Sequence, residues 1–417
     1  MGAADVTDRS LLLVTAVLRA VATGLTGVAL GIHLGRLGLG AGTIGIVVGA
    51  GLAGGATAAL LVTLAGDRIG RRRFLLCVTM VGAAGAAASA VFSGPVALAM
   101  ASFVGMLNGM GRDRGAALVL EQAILPGTAP DSERTRSFAV YNLLQDLGHA
   151  AGSLLAGLPT LLERSAGLGQ VASGRAMLLL VALLTIACLP PYLRLSRRVD
   201  VPSAGGLAVS AASRRILTRL SALFAVDALG SGFLPTALLS FFFFERFGAS
   251  PAAISVLFFV ARLANAGSHL LAAWLARRIG LVNTMVFTHI PSSLLLATVA
   301  FAPSFSVGAI LFVLREGLVE MDVPMRQSYV MAMVREEERT VASGLTNLVR
   351  MAAWAVAPPV AGLLMHRFSL ATPLFVGAAI KIGYDIALYL AFRGLKPPEE
   401  RVASSAERFS GGGSSGR

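Results

Sequence analysis

Charge is scarce in this chain. Only 14% of its 417 residues are Asp, Glu, Lys or Arg, whereas 55% are hydrophobic, and the mean hydropathy is +0.75. A soluble protein of this length needs a far more polar surface, so the composition indicates a polytopic membrane protein. Lysine occurs only at Lys381 and Lys396, so arginine carries almost all of the positive charge.

Several kinds of functional motif are also missing. Cys77 and Cys188 both lie inside apolar runs, a pattern typical of buried hydrophobic residues rather than of a disulfide or a metal pair. The sequence has no phosphate-binding glycine loop with its lysine, no metal-spaced histidines and cysteines and no nucleophile elbow. We therefore expect no enzyme, no cofactor and no metal. The net charge of +13 collects in short loops beside apolar runs, so nucleic acid is not an expected partner.

Twelve apolar stretches reach the length of about 20 residues that a membrane-spanning helix needs. They cover residues 10–34, 41–65, 74–93, 96–124, 134–160, 175–195, 218–244, 251–276, 284–302, 305–333, 338–364 and 370–393. Arginines gather in the even-numbered loops between these stretches and are sparse in the odd-numbered loops. Because positively charged loops stay in the cytoplasm, we predict a multi-pass protein of the bacterial inner membrane with both termini cytoplasmic.

The second half of the sequence repeats features of the first half. A shift of 205 residues places Asn142 on Asn347, and a shift of 208 residues places Arg19 on Asp227. The repeat predicts an all-α membrane protein with twelve transmembrane helices in two pseudo-symmetric six-helix halves. The predicted parts are the N-terminal half at 1–195, a cytoplasmic linker at 196–217, the C-terminal half at 218–394 and a cytoplasmic tail at 395–417.

The loop after the second stretch carries a family signature. The residues that match its Asp-Arg-x-Gly-Arg-Arg pattern are Asp67, Arg68, Gly70, Arg71 and Arg72. On this motif and the repeat, the chain resembles the major facilitator superfamily over nearly its whole length, although Thr63 stands where the signature begins with glycine. Gly148 and Gly152 are similar to the glycines of the drug:proton antiporter signature, whose proline is replaced here by Ser153.

This resemblance implies a transporter that rocks two halves around a site near the membrane midplane. It places helices 1, 4, 7 and 10 around a central cavity and helices 2, 5, 8 and 11 along the seam between the halves. We expect Gly70 to allow a tight turn and Asp67 to hold the cytoplasmic end of the seam shut. The signature residues form the predicted conformational gate together with Gly148 and Gly152.

Charged side chains inside apolar helices are costly, so each needs a partner or a function. Here they fall mainly on the helices that the resemblance places around the cavity and the seam. The predicted substrate and proton pathway consists of Arg19, Arg112, Asp113, Arg114, Asn142, Asp146, Asp227, Arg262, Glu316, Glu320, Asp322, Asn347 and Arg350.

Two of the expected pairings join the halves. Arg19 and Asp227 occupy symmetry-related positions, so we expect them to pair across the cavity, either permanently or in one conformation. Asp146 and Arg262 lie on helices that face each other at the seam, and they form a second expected pair. Asp146 is also a candidate proton carrier, because a buried carboxylate takes up protons more readily than an exposed one.

Further pairings are expected on helices 10 and 12. Arg112 is placed by the repeat to reach Glu316, which shares one face of its helix with Glu320. Lys381 and Asp385 are four residues apart, so we expect them to neutralise each other in a structural or oligomer-contact role.

Charges of both signs in the cavity predict a small polar or charged substrate. Because nucleotide-binding motifs are missing, active transport must draw on an ion gradient, and proton-coupled efflux by a monomer in the lipid bilayer is the leading prediction. Proton-driven uptake of an anionic metabolite is the alternative. A sensor or scaffold that uses the same fold without transport is a third possibility.

Overall fold

The computed structural model describes residues 3–128, 133–200, 210–321 and 339–392. These residues are almost entirely helical and include no strand. The N-terminal half contains α1 (Ala3–Arg36), α2 (Ala41–Ile69), α3 (Arg71–Val91), α4 (Pro95–Gly105), α5 (Ala116–Ile124), α6 (Arg134–Leu155), α7 (Leu158–Ser165), α8 (Gln170–Ile186) and α9 (Leu189–Arg194). The C-terminal half contains α10 (Ala211–Gly232), α11 (Thr236–Phe247), α12 (Pro251–Ile279), α13 (Leu281–Val299), α14 (Phe305–Val319), α15 (Arg339–Arg367) and α16 (Thr372–Phe392).

Helices occupy all twelve predicted stretches, which confirms the all-helical fold. In the described part of the chain, eight segments are long and apolar enough to cross a membrane. α10 begins at Ala211, earlier than the predicted start at 218, because the added turns are basic and a hydropathy rule does not count them. The last part of the tenth stretch, including the predicted site residue Asp322, lies outside the described residues.

Four of the predicted spans are interrupted, whereas continuous helices were expected. The fourth stretch divides into α4 and α5, the fifth into α6 and α7, the sixth into α8 and α9, and the seventh into α10 and α11. In the fourth, Met106 adopts a left-handed conformation with φ 51° and Gly111 has φ 69°, so the α-helix cannot continue. In the seventh, Pro235 precedes α11 and has no N–H to donate. In the fifth, sixth and seventh stretches the break carries no charged residue, so hydropathy alone does not detect it, whereas the break in the fourth stretch contains Arg112, Asp113 and Arg114.

The two halves pack closely at the end of the bundle where α1 ends and α2 begins, which we call the closed end. Here α2 lies against α15, α1 against α11, and α7 against α12. Gly45 and Gly362 allow the closest approach: a Cβ on Gly45 would lie 2.4 Å from the carbonyl oxygen of Pro358. Small residues serve membrane helices in this way, because they let two backbones come into contact.

Replacement of Gly45 by leucine should force the closed end apart, because the new side chain has no space against α15. We expect the distance between spin labels at Leu37 and Arg367, measured by electron paramagnetic resonance in a cysteine-free background, to lengthen by several ångströms. Gly55 lies on the same helix with open space around it. Gly55→Leu is therefore the control and should leave the distance unchanged. An unchanged distance in Gly45→Leu would contradict the tight seam.

Candidate functional site

A central cavity of about 830 Å³, part of it open to solvent, lies between the two halves. Its described lining carries twice as many cations as carboxylates. The cations are Arg112, Arg114, Arg262, Arg315, Arg350 and Lys381, and the carboxylates are Asp227, Glu316 and Glu320. Such a lining attracts anions, because opposite charges interact strongly in a site that is shielded from bulk water.

The non-helical segment 106–115, between α4 and α5, forms part of this wall. Asn108 folds it into a compact turn: its Oδ1 accepts from Met110 N at 2.9 Å, and its Nδ2 donates to Arg112 O at 2.5 Å. As a result Arg112 and Arg114 both line the cavity.

Carbonyl groups of this segment are hydrogen-bonded by the other half. Ala237 N donates to Gly109 O at 2.9 Å, and Thr236 Oγ1 donates to Met110 O at 2.7 Å. Arg262 Nη2 donates to Gly111 O at 3.0 Å. The break between α4 and α5 and the break between α10 and α11 thus meet at the cavity. We call these contacts the cross-half clamp.

Among the described residues, no carboxylate pairs with Arg262, which lines the cavity. Its Nη2 contacts only carbonyl oxygens of segment 106–115 and Thr236 Oγ1 at 3.2 Å, and its Nε has no hydrogen-bond partner among the described residues. The predicted pair with Asp146 is therefore not formed in this conformation. The break between α4 and α5 places backbone carbonyl oxygens beside Arg262. These oxygens take the place of the expected carboxylate partner.

Arg112 pairs across the cavity with a different carboxylate from the one expected. Its Nη1 lies 2.9 Å from Glu320 Oε2, and its Nη2 donates to Asn265 Oδ1 at 2.5 Å. Glu316 instead pairs with the neighbouring Arg315. The expectation of an Arg112–Glu316 pair was wrong because it assumed that the fourth predicted stretch forms one continuous helix. The break between α4 and α5 moves Arg112 out of the helical register on which that expectation depended.

The N-terminal half contains a buried charge cluster centred on Glu121, which is fully inaccessible to solvent. Arg19 pairs with Glu121 and, through Nε, with Asp113 Oδ2 at 3.0 Å. Tyr141 and Tyr192 donate to the two oxygens of Glu121 at 2.7 and 2.5 Å. Thr15 adds a further hydrogen bond at 2.6 Å. Arg19 is thus neutralised entirely within its own half.

Asp227 is likewise neutralised within the C-terminal half, so the expected pair with Arg19 is not present in this conformation. Lys381 Nζ lies 3.0 Å from Asp227 Oδ1, and Arg350 Nη2 lies 3.9 Å from Asp227 Oδ2. The expected direct contact between Lys381 and Asp385 is also not formed. His289 stands between them, with Nε2 at 3.4 Å from Lys381 Nζ and Nδ1 at 3.0 Å from Asp385 Oδ1.

Comparison with known proteins decides the family. The family model of the Major Facilitator Superfamily matches residues 12–358 and 220–412. The chain belongs to the Major Facilitator Superfamily. It is therefore a membrane transporter rather than an enzyme. The model covers the superfamily as a whole, and the drug:proton antiporter branch stays a prediction.

Relatives and solved structures agree with this assignment. The uncharacterized membrane protein YJR124C of Saccharomyces cerevisiae is 24% identical over 425 residues, covering 93% of this chain and 94% of that protein. A mutant of the nucleoside transporter NupG has a TM-score of 0.75 at 14% identity, covering 92% of this chain and 100% of that one. The POT family transporter PepTSo has a TM-score of 0.72 at 13% identity, covering 93% and 98%.

The superfamily signature loop contacts its own half and the start of the predicted linker in this structure. Gly70 has φ 96° at the turn between α2 and α3, a conformation that favours glycine. Arg71 donates to Ala123 O at 3.3 Å, and the backbone N–H of Arg72 donates to Asp200 Oδ1 at 3.0 Å. The side chains of Asp67 and Arg68 lie outside the described residues, so the predicted lock stays a prediction.

The other predicted gate and pathway residues have varied surroundings. Gly148 and Gly152 lie on the face of α6 that packs against α1, where a Cβ on Gly152 would lie 2.1 Å from Val21 O. Asn142 is exposed, and Asn347 contacts the sulfur of Met351 at 3.9 Å.

Two of the pathway arginines share one aromatic ring. Arg114 and Arg350 lie over Trp354 at 5.6 and 5.0 Å from the ring centroid. Their positive charge is therefore held at the cavity wall by contact with the π face.

Several members of this transporter's polar clusters were missed from the sequence. They are Tyr141, Tyr192, Asn265 and His289, with Lys381, for which a structural or oligomer-contact role was expected. Each lies in a largely apolar stretch, a signal that was available but does not indicate which neighbour the residue contacts.

Substitution of Glu121 by glutamine should destabilise the protein strongly. It removes a buried charge and leaves Arg19 with only Asp113, and breaking such a pair costs about 3 kcal/mol. The measurement is the midpoint of thermal unfolding in detergent. Glu133→Gln is the matched control, since Glu133 is 46% exposed and lies 3.5 Å from Arg9, a pair worth at most about 1 kcal/mol. Equal midpoints for the two variants would contradict a stabilising role for the Glu121 cluster.

Proposed function

We propose that this transporter carries a small anionic molecule through the central cavity by alternating access, with the proton as coupling ion. The excess of cations in the cavity lining supports an anionic substrate. The surroundings of Arg262 give the strongest support for an anionic substrate. Arg262 lines the cavity, and its hydrogen bonds in the described part of the chain go only to neutral acceptors. An anion would offer this guanidinium a much stronger partner than carbonyl oxygens do.

Anion binding to Arg262 would also change the cross-half clamp. The guanidinium that satisfies Gly111 O and Met110 O in the present conformation would turn towards the anion. This weakens one contact between segment 106–115 and the C-terminal half, whereas the hydrogen bonds from Thr236 and Ala237 remain. Substrate binding would thus favour a rearrangement of the halves through its different contacts in the two states.

The same charge balance bears on the direction of transport. On the predicted topology, the closed end faces outwards and the cavity communicates with the cytoplasm. A net positive cavity supports the alternative of proton-driven uptake of an anion over efflux of a cationic or neutral drug. A proton that enters with the anion offsets its charge and links uptake to an inward proton gradient.

Anions should therefore stabilise the purified protein. We expect benzoate to raise the midpoint of thermal unfolding, whereas benzamide and benzamidinium, which have the same ring without a negative charge, have no effect. Phosphate and succinate test other anion classes in the same assay. Arg262→Gln should weaken the binding of the anion that stabilises the wild type by about 10- to 100-fold, since a charge-assisted hydrogen bond contributes about 1.5–3 kcal/mol.

The matched control is Arg278→Gln, on the same helix but exposed and stacked on Trp274. It should leave the midpoint shift unchanged. Stabilisation by the amide or the amidinium, or equal effects of the two arginine substitutions, would contradict an anion site at Arg262.

Transport in proteoliposomes should show the coupling and its direction. For the anion that stabilises the protein, an acidic outside should accelerate accumulation against its gradient if the proton and the anion move together. Acceleration by an acidic inside, with the proton leaving the vesicle as the anion enters, would instead support antiport and hence the efflux prediction. Arg262→Gln should lower the rate of anion transport under both pH gradients.

A further inference from the structure

The cluster behind the C-terminal wall of the cavity contains a carboxylate oxygen without a donor. Asp385 is fully buried on α16, and its Oδ1 lies 3.0 Å from His289 Nδ1. Its Oδ2 has no hydrogen-bond partner within the described part of the chain. An ionised buried oxygen without a donor is costly, and a bound proton removes that cost.

The buried carboxylate of the other half has the opposite arrangement. Both oxygens of Glu121 accept hydrogen bonds from side chains, and Arg19 adds a cation. These donors stabilise the ionised form of Glu121. The two buried carboxylates therefore differ in the protonation state that their surroundings support.

The contacts of Lys381 fix the hydrogen on the neighbouring imidazole. Its ammonium nitrogen lies 3.0 Å from Asp227 Oδ1, 3.2 Å from Ser231 Oγ and 3.4 Å from His289 Nε2. An ammonium can only donate, so Nε2 must present its lone pair. The neutral ring then has its hydrogen on Nδ1 and donates it to Asp385 Oδ1.

We propose that Asp385 is the proton-binding residue of this transporter and that His289 passes the proton to it from the cavity. His289 lines the cavity, whereas Asp385 lies behind it. Once Lys381 moves away from Nε2, a hydronium ion gives its proton to that nitrogen and becomes water, while the proton on Nδ1 moves to Asp385. The ring ends neutral with its hydrogen on Nε2, and Asp385 ends as a neutral carboxylic acid.

This transfer changes the charge of the cavity wall. Before it, Lys381 and Arg350 balance Asp227 and Asp385, and the cluster is neutral. After it, the cluster has one net positive charge, and Nε2 can no longer accept a hydrogen bond from Lys381. The released ammonium group faces a cavity that already has an excess of cations. Proton binding therefore strengthens anion binding, and this coupling, unlike proton binding itself, rests on the proposed function.

The charged groups on the neighbouring helices are compatible with this role. Besides the groups on α10, α15 and α16 named above, Tyr384 places its ring 6.4 Å from that of His289. Across the cavity, α14 contributes Arg315 and Glu316, which pair with each other, and α12 contributes Arg262. Arg262 and the Arg315–Glu316 pair thus line the same cavity as His289, and the carboxylate of Asp385 contacts His289 from behind.

The test is infrared difference spectroscopy of the purified full-length protein in lipid, recorded as the pH is stepped from mildly alkaline to mildly acidic. We expect the carbonyl stretching band of a protonated carboxylic acid to appear in the wild type and to be lost in Asp385→Asn. Asp385→Glu keeps a carboxyl group and should shift the band without abolishing it. His289→Gln cannot relay a proton, and the band should appear about 100-fold more slowly after a pH jump.

The matched control is Glu245→Gln, an exposed carboxylate at the end of α11, which should leave the band unchanged. A band that persists in Asp385→Asn, or that never appears in the wild type, would overturn the proposal. If Asp385→Asn fails to fold, the shift in Asp385→Glu decides, and an unshifted band overturns the proposal. Equal rates in wild type and His289→Gln would overturn the relay.

Failure of the proposed function gives a different result. If the band behaves as expected but no anion stabilises the wild type, the proton site stands and the anion proposal falls. If anions stabilise the wild type, Asp385→Asn should make that stabilisation independent of pH, because it mimics the protonated state. Stabilisation that keeps the pH dependence of the wild type would overturn the coupling.

Discussion

Inside a membrane, a carbonyl group that leaves a helix must find another donor, since lipid offers none. Segment 106–115 meets this requirement with donors from the opposite half, namely Ala237 N, Thr236 Oγ1 and Arg262. The two interrupted helices therefore depend on each other, and hydrogen bonds to backbone carbonyls help to hold the centre of the molecule together. Any state in which the halves separate at this point needs new donors for these carbonyls, and water in an opened cavity can supply them.

The charges of the two halves are balanced in different ways. In the N-terminal half, Glu121 is inaccessible to solvent, accepts hydrogen bonds on both oxygens and pairs with Arg19. In the C-terminal half, the carboxylate of Asp227 lines the cavity. Lys381 contacts both this carboxylate and His289. The first arrangement stabilises one half as a rigid body. The cluster in the C-terminal half can change its protonation and its contacts, so it is suited to couple proton binding to anion binding.

The sequence allowed the helical fold, the two halves and the family to be predicted, because apolar length, loop arginines and the internal repeat depend on local composition. The break at Pro235 was missed because no charged residue marks it, and the break at Met106 was missed because the charges at Arg112, Asp113 and Arg114 were interpreted as part of a continuous helix. The site was predicted as a set of helices but not as pairs. Arg112 reaches Glu320 rather than Glu316 because the break shifts its position. Which polar residues meet depends on helix rotation and on interruptions, and spacing along one chain contains neither.

The partners of α16 also constrain how the protein enters the membrane. This helix carries Lys381 and Asp385, and inserting two charged residues at mid-helix costs about 5–7 kcal/mol on insertion scales. Their partners, Asp227 and His289, lie on α10 and α13, which precede α16 in the chain. Helices that are already in place therefore favour the insertion of α16, and the charge cluster of the C-terminal half forms when this helix joins them.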